Sequence, residues 1–450
     1  MTNDVQMKIL VVGGGCREHM LVQRMKADGN TLIAAMKNRN PGIELLSEAI
    51  VQCDETDAGA ISSFALRNGA DFAVIGPENP LAAGVADTLA EAGVTCFGPG
   101  KSAAEIESSK SFTRGLLDRH GIPGNPAYAS FDNVADAIEH IGKCVYPVAV
   151  KPSGLTGGKG VKVVGDQLSD NKEACAYVRE IFSSASGSSG VVIEEKLEGE
   201  EFSLQAISDG RHLLPFPLAQ DHKRAFEGDR GPNTGGMGSY SMADGLLPFV
   251  SDTDRVHALG IMQKVIDAMR TEGREFRGLL YGGFMLTSDG VRLLEFNARF
   301  ADPESMNVLA VTKGDVASVL HSAAEGNLRN SLSFERSSTV CRYYVPLGYG
   351  ERPAPGAEIY IDGKCIGDSG VLLYYGSVNA SSGKILTTTS RSFALLAKAD
   401  QPWQAASAID AAGGCVKGNV YSRRDIGTIE EIKRKETSGK RLHSAYAAGG

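Results

Sequence analysis

Over the first hundred residues, short apolar runs alternate with stretches of helical spacing. Lys8–Val12, Thr31–Met36, Asp71–Ile75 and Val94–Phe97 read as strands, with helices over Glu18–Ala27, Ala58–Asn68 and Leu81–Ala92 between them. This alternation predicts an open parallel sheet with helices on its faces. Ligands of such sheets sit beyond the carboxyl ends of the strands, where Gly13–Gly15 and Gly76-Pro77-Glu78 fall. A helix over Ala103–Arg119 stops before Gly121-Ile122-Pro123. A small α+β unit follows, with strands Val148–Lys151, Val161–Gly165 and Val191–Glu195 and helix Asn171–Ser183. Strands Glu201–Ser208, Gly278–Thr287 and Val291–Asn297 flank a helix over Thr253–Arg270. Beyond about 330 the chain becomes strand-rich (Thr339–Val345, Val371–Tyr375, Phe393–Lys398) and closes with a helix over Trp403–Ala412. The expected divisions of this α/β chain are residues 1–105, 106–330 (with the small unit at about 124–195) and 331–450.

A length of 450 residues fits about three domains. The hydrophobic share of 42% is that of an ordinary globular protein. A net charge of −8 argues against a nucleic-acid partner, which would call for a basic face. No apolar run is long enough to span a bilayer, and the N-terminus lacks the features of a secretory signal, so a cytoplasmic location is expected. A monomer is the working expectation. The eight cysteines are scattered without Cys-x-x-Cys spacing, and reduced thiols are expected throughout.

Four segments carry candidate chemistry. Gln220–Tyr240 mixes acid, base, imidazole and amide with glycines, shows no helix period and no clean strand alternation, and suits a loop that meets a charged ligand. Lys151–Gly160 is a glycine loop between two predicted strands; its amides can approach phosphate oxygens, with Lys151 and Lys159 supplying charge. Ile193–Glu201 holds five carboxylates in nine positions, either a solvated turn or a nucleotide-binding hinge. Along Leu294–Phe300 the strand alternation puts Glu295, Asn297 and Arg299 on one face. The first two offer oxygen ligands to Mg²⁺ or Mn²⁺, and the third a fork for a carboxylate or phosphate. Together these segments describe an ATP site. Gly13–Gly15 is either a plain strand-to-helix turn or a phosphate cradle to which Arg17 and His19 add charge. Gly98–Ser102 is not a phosphate loop, because Thr95 stands where that motif needs glycine.

In this order the segments resemble the ATP-grasp ligases, and within them the phosphoribosylamine–glycine ligase family. The resemblance is carried by Gly13–Met20, Gly76–Leu81, Phe97–Pro99, Glu107–Lys110, Gly121–Pro123, Lys151–Val161, Gln220–Tyr240, Glu295–Glu304 and Arg423–Gly427, nearly the whole chain. It implies an ATP-grasp fold with an N-terminal open-sheet domain, a small hinged lid and a C-terminal α+β domain. It implies a reaction in which ATP phosphorylates glycine and the amine of 5-phosphoribosylamine attacks the glycyl phosphate, in de novo purine synthesis. By the same resemblance Lys110, Lys151, Gly158, Lys159 and Gly160 meet ATP phosphates. Glu194, Glu195 and Leu197 hold adenine, with Glu201 near the ribose. Glu295 and Asn297 ligate the metal. Asp221, Lys223 and Arg299 lie near glycine and the transferred phosphoryl group. Gly13, Gly15, Arg17, Pro77, Glu78, Asn233, Thr234 and Asp302 are expected beside the substrates.

The chain departs from the family pattern at Cys16, Met20, Pro152 and Ala301, the last placing a Cβ in an expected tight turn. Two rivals stand beside this reading. One is another carboxylate ligase acting on purine precursors; the other is a nucleotide-binding protein without turnover, against which the presence of Glu295 and Asn297 weighs.

Overall fold

The structure, a computed structural model, describes residues 6–157, 160–184, 190–328, 331–381 and 383–449. Strands Ala49–Gln52, Thr31–Met36, Lys8–Val12, Phe72–Ile75 and Thr95–Phe97 form the N-terminal sheet in that spatial order, all parallel. Ile9 to Val12 are wholly buried because helices cover both faces, which is why the run is apolar without alternation. Two elements here escaped the hydrophobic pattern. Helix Pro41–Leu46 is set by its N-cap, the Asn40 side chain accepting from Gly42 and Ile43 N–H, and strand Ala49–Gln52 is a half-buried edge.

Two expected helices are broken. Leu81–Ala92 becomes Glu78–Ala83 and Val85–Glu91, parted by Gly84 at φ +91°. Ala103–Arg119 becomes Glu105–Ser108 and Lys110–Arg119, because Ser109 leaves the helical region and caps the second helix through Phe112 N–H. That break puts Lys110 at a helix start, where its backbone N–H donates to the Ser153 carbonyl at 2.9 Å.

Residues 128–195 build an antiparallel sheet in the order Tyr128–Phe131, Val191–Glu195, Val148–Pro152, Lys162–Val163. Helices Val134–Lys143 and Asn171–Ser183 pack on it around a core separate from the main one. The neighbouring antiparallel sheet runs Leu213–Pro215, Glu200–Asp209, Arg277–Thr287, Gly290–Asn297, backed by helix Asp252–Thr271.

A further sheet joins distant parts of the chain. Gln220–Asp221 and Gly238–Ser241 pair side by side, and Gly238–Ser241 pairs with Ser338–Pro346, which continues to Phe393–Ala399 and Leu372–Tyr375. The polar segment 220–240 is therefore not irregular as expected. It contains four short strands, two of them (Arg224–Phe226 and Arg230–Asn233) forming a hairpin.

Two expectations for the C-terminal part are corrected. The chain does not close at Ala412: helix Ile429–Gly449 follows, its apolar stripe thinned because Glu431 and Lys435 are among its buried positions. Nor are all thiols reduced: Cys365 and Cys415 form a disulfide between helix Gly363–Asp368 and the turn Gly413–Cys415, their Cα atoms 5.8 Å apart. Among the described residues no helix is long and apolar enough to cross a membrane.

Candidate active site

A cavity of about 560 Å³ lies where the small sheet, the Glu200–Asp209 sheet and the 220–240 segment meet. Strand Val148–Pro152 delivers Lys151, the start of helix Lys110–Arg119 delivers Lys110, and the end of strand Gly290–Asn297 delivers Glu295 and Asn297. Asp221 and Lys223 enter from the 220–240 segment, and Arg299 and Asp302 from the turn after the strand. Glu78, Glu194, Glu195, Leu197, Glu201, Asn233 and Thr234 complete the expected set that lines the cavity.

Three glutamates define its electrostatics, Glu194 and Glu107 buried and Glu295 partly exposed. Glu194 receives Arg114 through two hydrogen bonds of 2.8 Å and Lys151 at 2.7 Å. Burial opposes its charge, but the two cations overcome this and hold the carboxyl at about 2. Arg114 also donates to the Leu293 and Leu294 carbonyls, so it pins the small sheet to the strand that carries Glu295. Glu295 has looser company. Lys223 stands 3.9 Å away and the Asn297 amide 3.5 Å, and burial is outweighed by Lys223, Lys110 and Lys151, which keep the group ionised. Glu107 is pushed up to about 7 by burial, against the pull of Arg299 at 3.3 Å, a cation it shares with Glu78 at 3.2 Å.

The lysines follow the same logic. Lys223, 3.3 Å from Glu201, is raised well above the usual range: burial opposes its charge, but Glu201 and Glu295 outweigh it. Lys110 is lowered by burial, and its Nζ donates to the Gly154 carbonyl at 3.1 Å. Asp221 and Glu304 are both raised, first by burial, and Glu304 further raises Asp221. Both acids line the cavity near Lys223.

The donor set fits a hard divalent ion. Glu295 is an ionised carboxylate with an amide oxygen available beside it at Asn297. Among the described residues no cluster of three or more His, Cys, Asp or Glu could hold a metal alone. Two protein oxygens with phosphate and water completing the shell are what Mg²⁺ commonly takes.

Other expected residues lie elsewhere. Gly158 and Lys159 fall outside the described residues. Gly160 does not line the cavity; its carbonyl accepts from the Tyr177 hydroxyl. Gly13, Gly15, Arg17 and Pro77 are also off the cavity wall. The Gly15 N–H donates to Glu18 at 2.7 Å, and a Cβ at Gly13 or Gly76 would strike the same Glu18 side chain. A carboxylate of the chain itself thus fills this cradle, and Arg17 spends its charge on Glu18 at 2.6 Å and the Phe300 carbonyl. His19 is not the expected extra cation: burial lowers it to about 4, and its Nδ1 accepts from Tyr375 N–H. Cys16 is buried, donates to the Tyr374 carbonyl and has its thiol raised by burial, so it is no reactive group. Ala301 does not have a positive φ, so the expected clash of its Cβ with a tight turn is absent.

Sequence reasoning missed Arg114, Glu304 and any role for Glu107. Arg114 stands one helical turn after Lys110, a spacing that signals a shared face.

The order of sheets and the converging lysines define an ATP-grasp ligase. Family models match on both sides of the cavity: the N domain of phosphoribosylglycinamide synthetase over residues 7–107 and its ATP-grasp (A) domain over residues 108–305. The chain belongs to the phosphoribosylamine–glycine ligase family. It is 47% identical to the phosphoribosylamine–glycine ligase of Methanoregula boonei over 97% of this chain and 100% of that one. It is also 47% identical to the enzyme of that name from Methanothermobacter thermautotrophicus, over 95% of this chain and 98% of that one. A solved phosphoribosylamine–glycine ligase from Thermotoga maritima superposes with a TM-score of 0.79 at 24% identity, over 93% of this chain and all of that one. The biotin carboxylase domain of a Hydrogenobacter thermophilus carboxylase, solved with MgADP and bicarbonate, shares the fold at a TM-score of 0.72 and 17% identity, over 98% of this chain and 99% of that one.

Proposed function

We propose that this chain joins glycine to 5-phosphoribosylamine at the expense of ATP, giving glycinamide ribonucleotide, ADP and phosphate. The observation that carries the reading is the meeting of Lys110, Lys151, Lys223 and Arg299, from four separate stretches, with Glu295 and Asn297 around one cavity. A carboxylate is a poor electrophile until one of its oxygens becomes a leaving group. Transfer of the γ-phosphoryl group to a glycine oxygen supplies one; the amine then attacks the carbonyl carbon and phosphate departs. Such a step needs positioning and neutralised charge rather than a protein nucleophile.

Lys110 and Lys151 face the phosphates in this reading. Lys151 leaves part of its pairing with Glu194, which Arg114 still satisfies. Glu295 and Asn297 hold Mg²⁺ or Mn²⁺, which when bound neutralises phosphate charge and draws electron density from the transferring group. Leu155, Met285 and Phe296 offer apolar surface to the adenine beside the 194–197 segment, and Glu201 faces the ribose. Lys223 and Arg299 orient the glycine carboxylate. The acidic pair Asp221 and Glu304 suits the glycine ammonium, which would relieve the mutual repulsion of the two groups.

The test is product formation by the purified chain with ATP, a divalent ion and both substrates. ADP, phosphate and glycinamide ribonucleotide in equal amounts, dependent on glycine and on phosphoribosylamine, are expected. Nucleotide binding without turnover would refute the reading in favour of a non-catalytic protein. Equal turnover with other amino acids would refute the substrate assignment.

A further inference from the structure

The matched family models end at residue 305, yet a residue far beyond that point reaches the cavity wall from behind. Arg391 lies between strands Lys384–Thr387 and Phe393–Ala399. Its Nη1 donates to the carbonyls of Gly235, Gly236 (3.0 Å) and Asp302 (3.0 Å), and its Nη2 to the Asp302 carboxylate at 2.8 Å. The guanidinium carbon sits 4.4 Å from the centre of the Tyr343 ring, and the Tyr343 hydroxyl donates to the other Asp302 oxygen. Arg391 itself does not line the cavity, whereas Gly235 and Asp302 do.

The two segments it joins meet without slack. A Cβ on Gly235 would stand 3.3 Å from the Arg391 guanidinium carbon. Gly236 takes φ +103°, and a Cβ there would lie 2.6 Å from Asp221 Oδ1 and 2.7 Å from Pro303 Cδ. Gly236 is thus wedged between the Asp221 carboxylate and the Pro303 ring, and Arg391 ties its carbonyl to that of Asp302. Both Asp302 carboxylate oxygens are engaged by C-terminal side chains, so this carboxylate serves the wall. Three carbonyls and a carboxylate around one planar fork is a pattern that arginine satisfies and lysine cannot reproduce in full.

We infer that Arg391 is a positioning residue for the amino-acid end of the site: it fixes Asp221 and Glu304 relative to each other by clamping 235–236 to 302–303, and so sets glycine affinity without touching substrate or nucleotide. The inference rests on the proposed placing of glycine at Asp221 and Lys223. The polar contacts of Lys110 and Lys151 at the nucleotide end go to the Gly154 and Leu294 carbonyls and to Glu194.

The experiment measures KM for glycine and for ATP, kcat, and ADP affinity by titration, in wild type, Arg391→Met, Arg391→Lys and Tyr343→Phe. Arg391→Met is expected to raise the glycine KM about tenfold or more, with ATP KM and ADP affinity within about twofold of wild type. Arg391→Lys, which keeps the Asp302 ion pair, should recover part of that loss. Tyr343→Phe, which removes a single hydrogen bond, should move glycine KM in the same direction by about threefold. Should Arg391→Met fail to fold, the other two variants read the same split. Equal shifts in glycine and ATP, or no shift in any variant, overturn the inference. Absence of glycine-dependent turnover in wild type itself would instead defeat the proposed function, and this inference with it.

Discussion

Glu194 and Glu107 are both buried in the wall of the same cavity, yet one is held at about 2 and the other lifted to about 7. Burial acts on both in the same direction. The difference is the supply of cations: Glu194 has Arg114 and Lys151 within 2.8 Å, whereas Glu107 shares the single Arg299 with Glu78. Glu295 lies between these cases, ionised by three lysines but with Lys223 no nearer than 3.9 Å. A carboxylate tightly paired on both sides has its charge spent on structure. One held ionised at a distance can change partners when a divalent ion arrives. In the proposed reading Glu194 therefore belongs to the framework and Glu295 to the chemistry.

The largest effect separates those two roles. Glu295→Ala should lower kcat by on the order of 10⁴-fold, about 5 kcal/mol, while leaving the unfolding midpoint in denaturant within experimental scatter. Near-normal turnover would place the metal elsewhere. Arg114→Met should do the reverse to the fold, leaving Glu194 buried with one partner and costing about 3–4 kcal/mol in chemical denaturation. A cost under about 1 kcal/mol would mean that Lys151 alone suffices, and the contrast between Glu194 and Glu107 would lose its cause. Lys151→Ala comes next, with kcat/KM for ATP down about 10²-fold and KM for phosphoribosylamine changed much less. Equal losses for both substrates would put this lysine outside the phosphate site.

How much of this could be read from the residues differs between the two ends of the chain. Four of the five N-terminal strands were legible because a parallel sheet covered on both faces demands unbroken apolar runs, and the half-buried edge strand Ala49–Gln52 was not. The helix breaks at Gly84 and Ser109 were not, since a lone glycine or serine inside a periodic stretch is compatible with a continuous helix. Helix Ile429–Gly449 was hidden because part of what it buries is charge, Lys435 facing Glu200 at 2.6 Å and Glu431 facing His222. At the site, strand alternation was enough to put Glu295 and Asn297 together, whereas Arg299 reaches the same cavity from the turn after the strand ends at Asn297. It could not show that Glu18 fills the Gly13–Gly15 turn, because a glycine run looks the same whether its amides meet a ligand or a side chain of the same chain. The Arg391 clamp was invisible for a similar reason: its partners are mostly backbone carbonyls, which leave no mark in the residue pattern.

The contrast in charge also has a pH signature, spread over a range of pH instead of falling on one variant's activity. Glu107 has a folded value of about 7 against an ordinary 4.5, so the folded state holds its proton more tightly than the unfolded chain. The stability this proton carries is complete below about 4.5 and is lost as pH rises to 7. Glu194 works the other way, its contribution complete above 4.5 and lost as pH falls towards 2. Glu107→Gln cannot ionise, so its unfolding free energy relative to wild type should improve by about 3 kcal/mol from pH 4.5 to 7 and level off above that. A flat difference across pH 5 to 8 would show that Arg299 neutralises Glu107 as fully as Arg114 and Lys151 neutralise Glu194.

The smallest effect concerns a side chain that carries no charge at all. Ala301 lies on the cavity wall beside Asp302, its N–H donating to Gln205 at 3.0 Å, and it does not have a positive φ. Nothing in that backbone requires glycine, so Ala301→Gly relieves no strain and adds freedom only to the unfolded chain. It should leave kcat and glycine KM within about threefold of wild type and cost about 0.5–1 kcal/mol of stability. A sharp rise in glycine KM would mean that the alanine methyl packs against the substrate. Control of the amino-acid end would then be shared between that methyl and the clamp behind it, instead of resting on the spacing of Asp221 and Glu304.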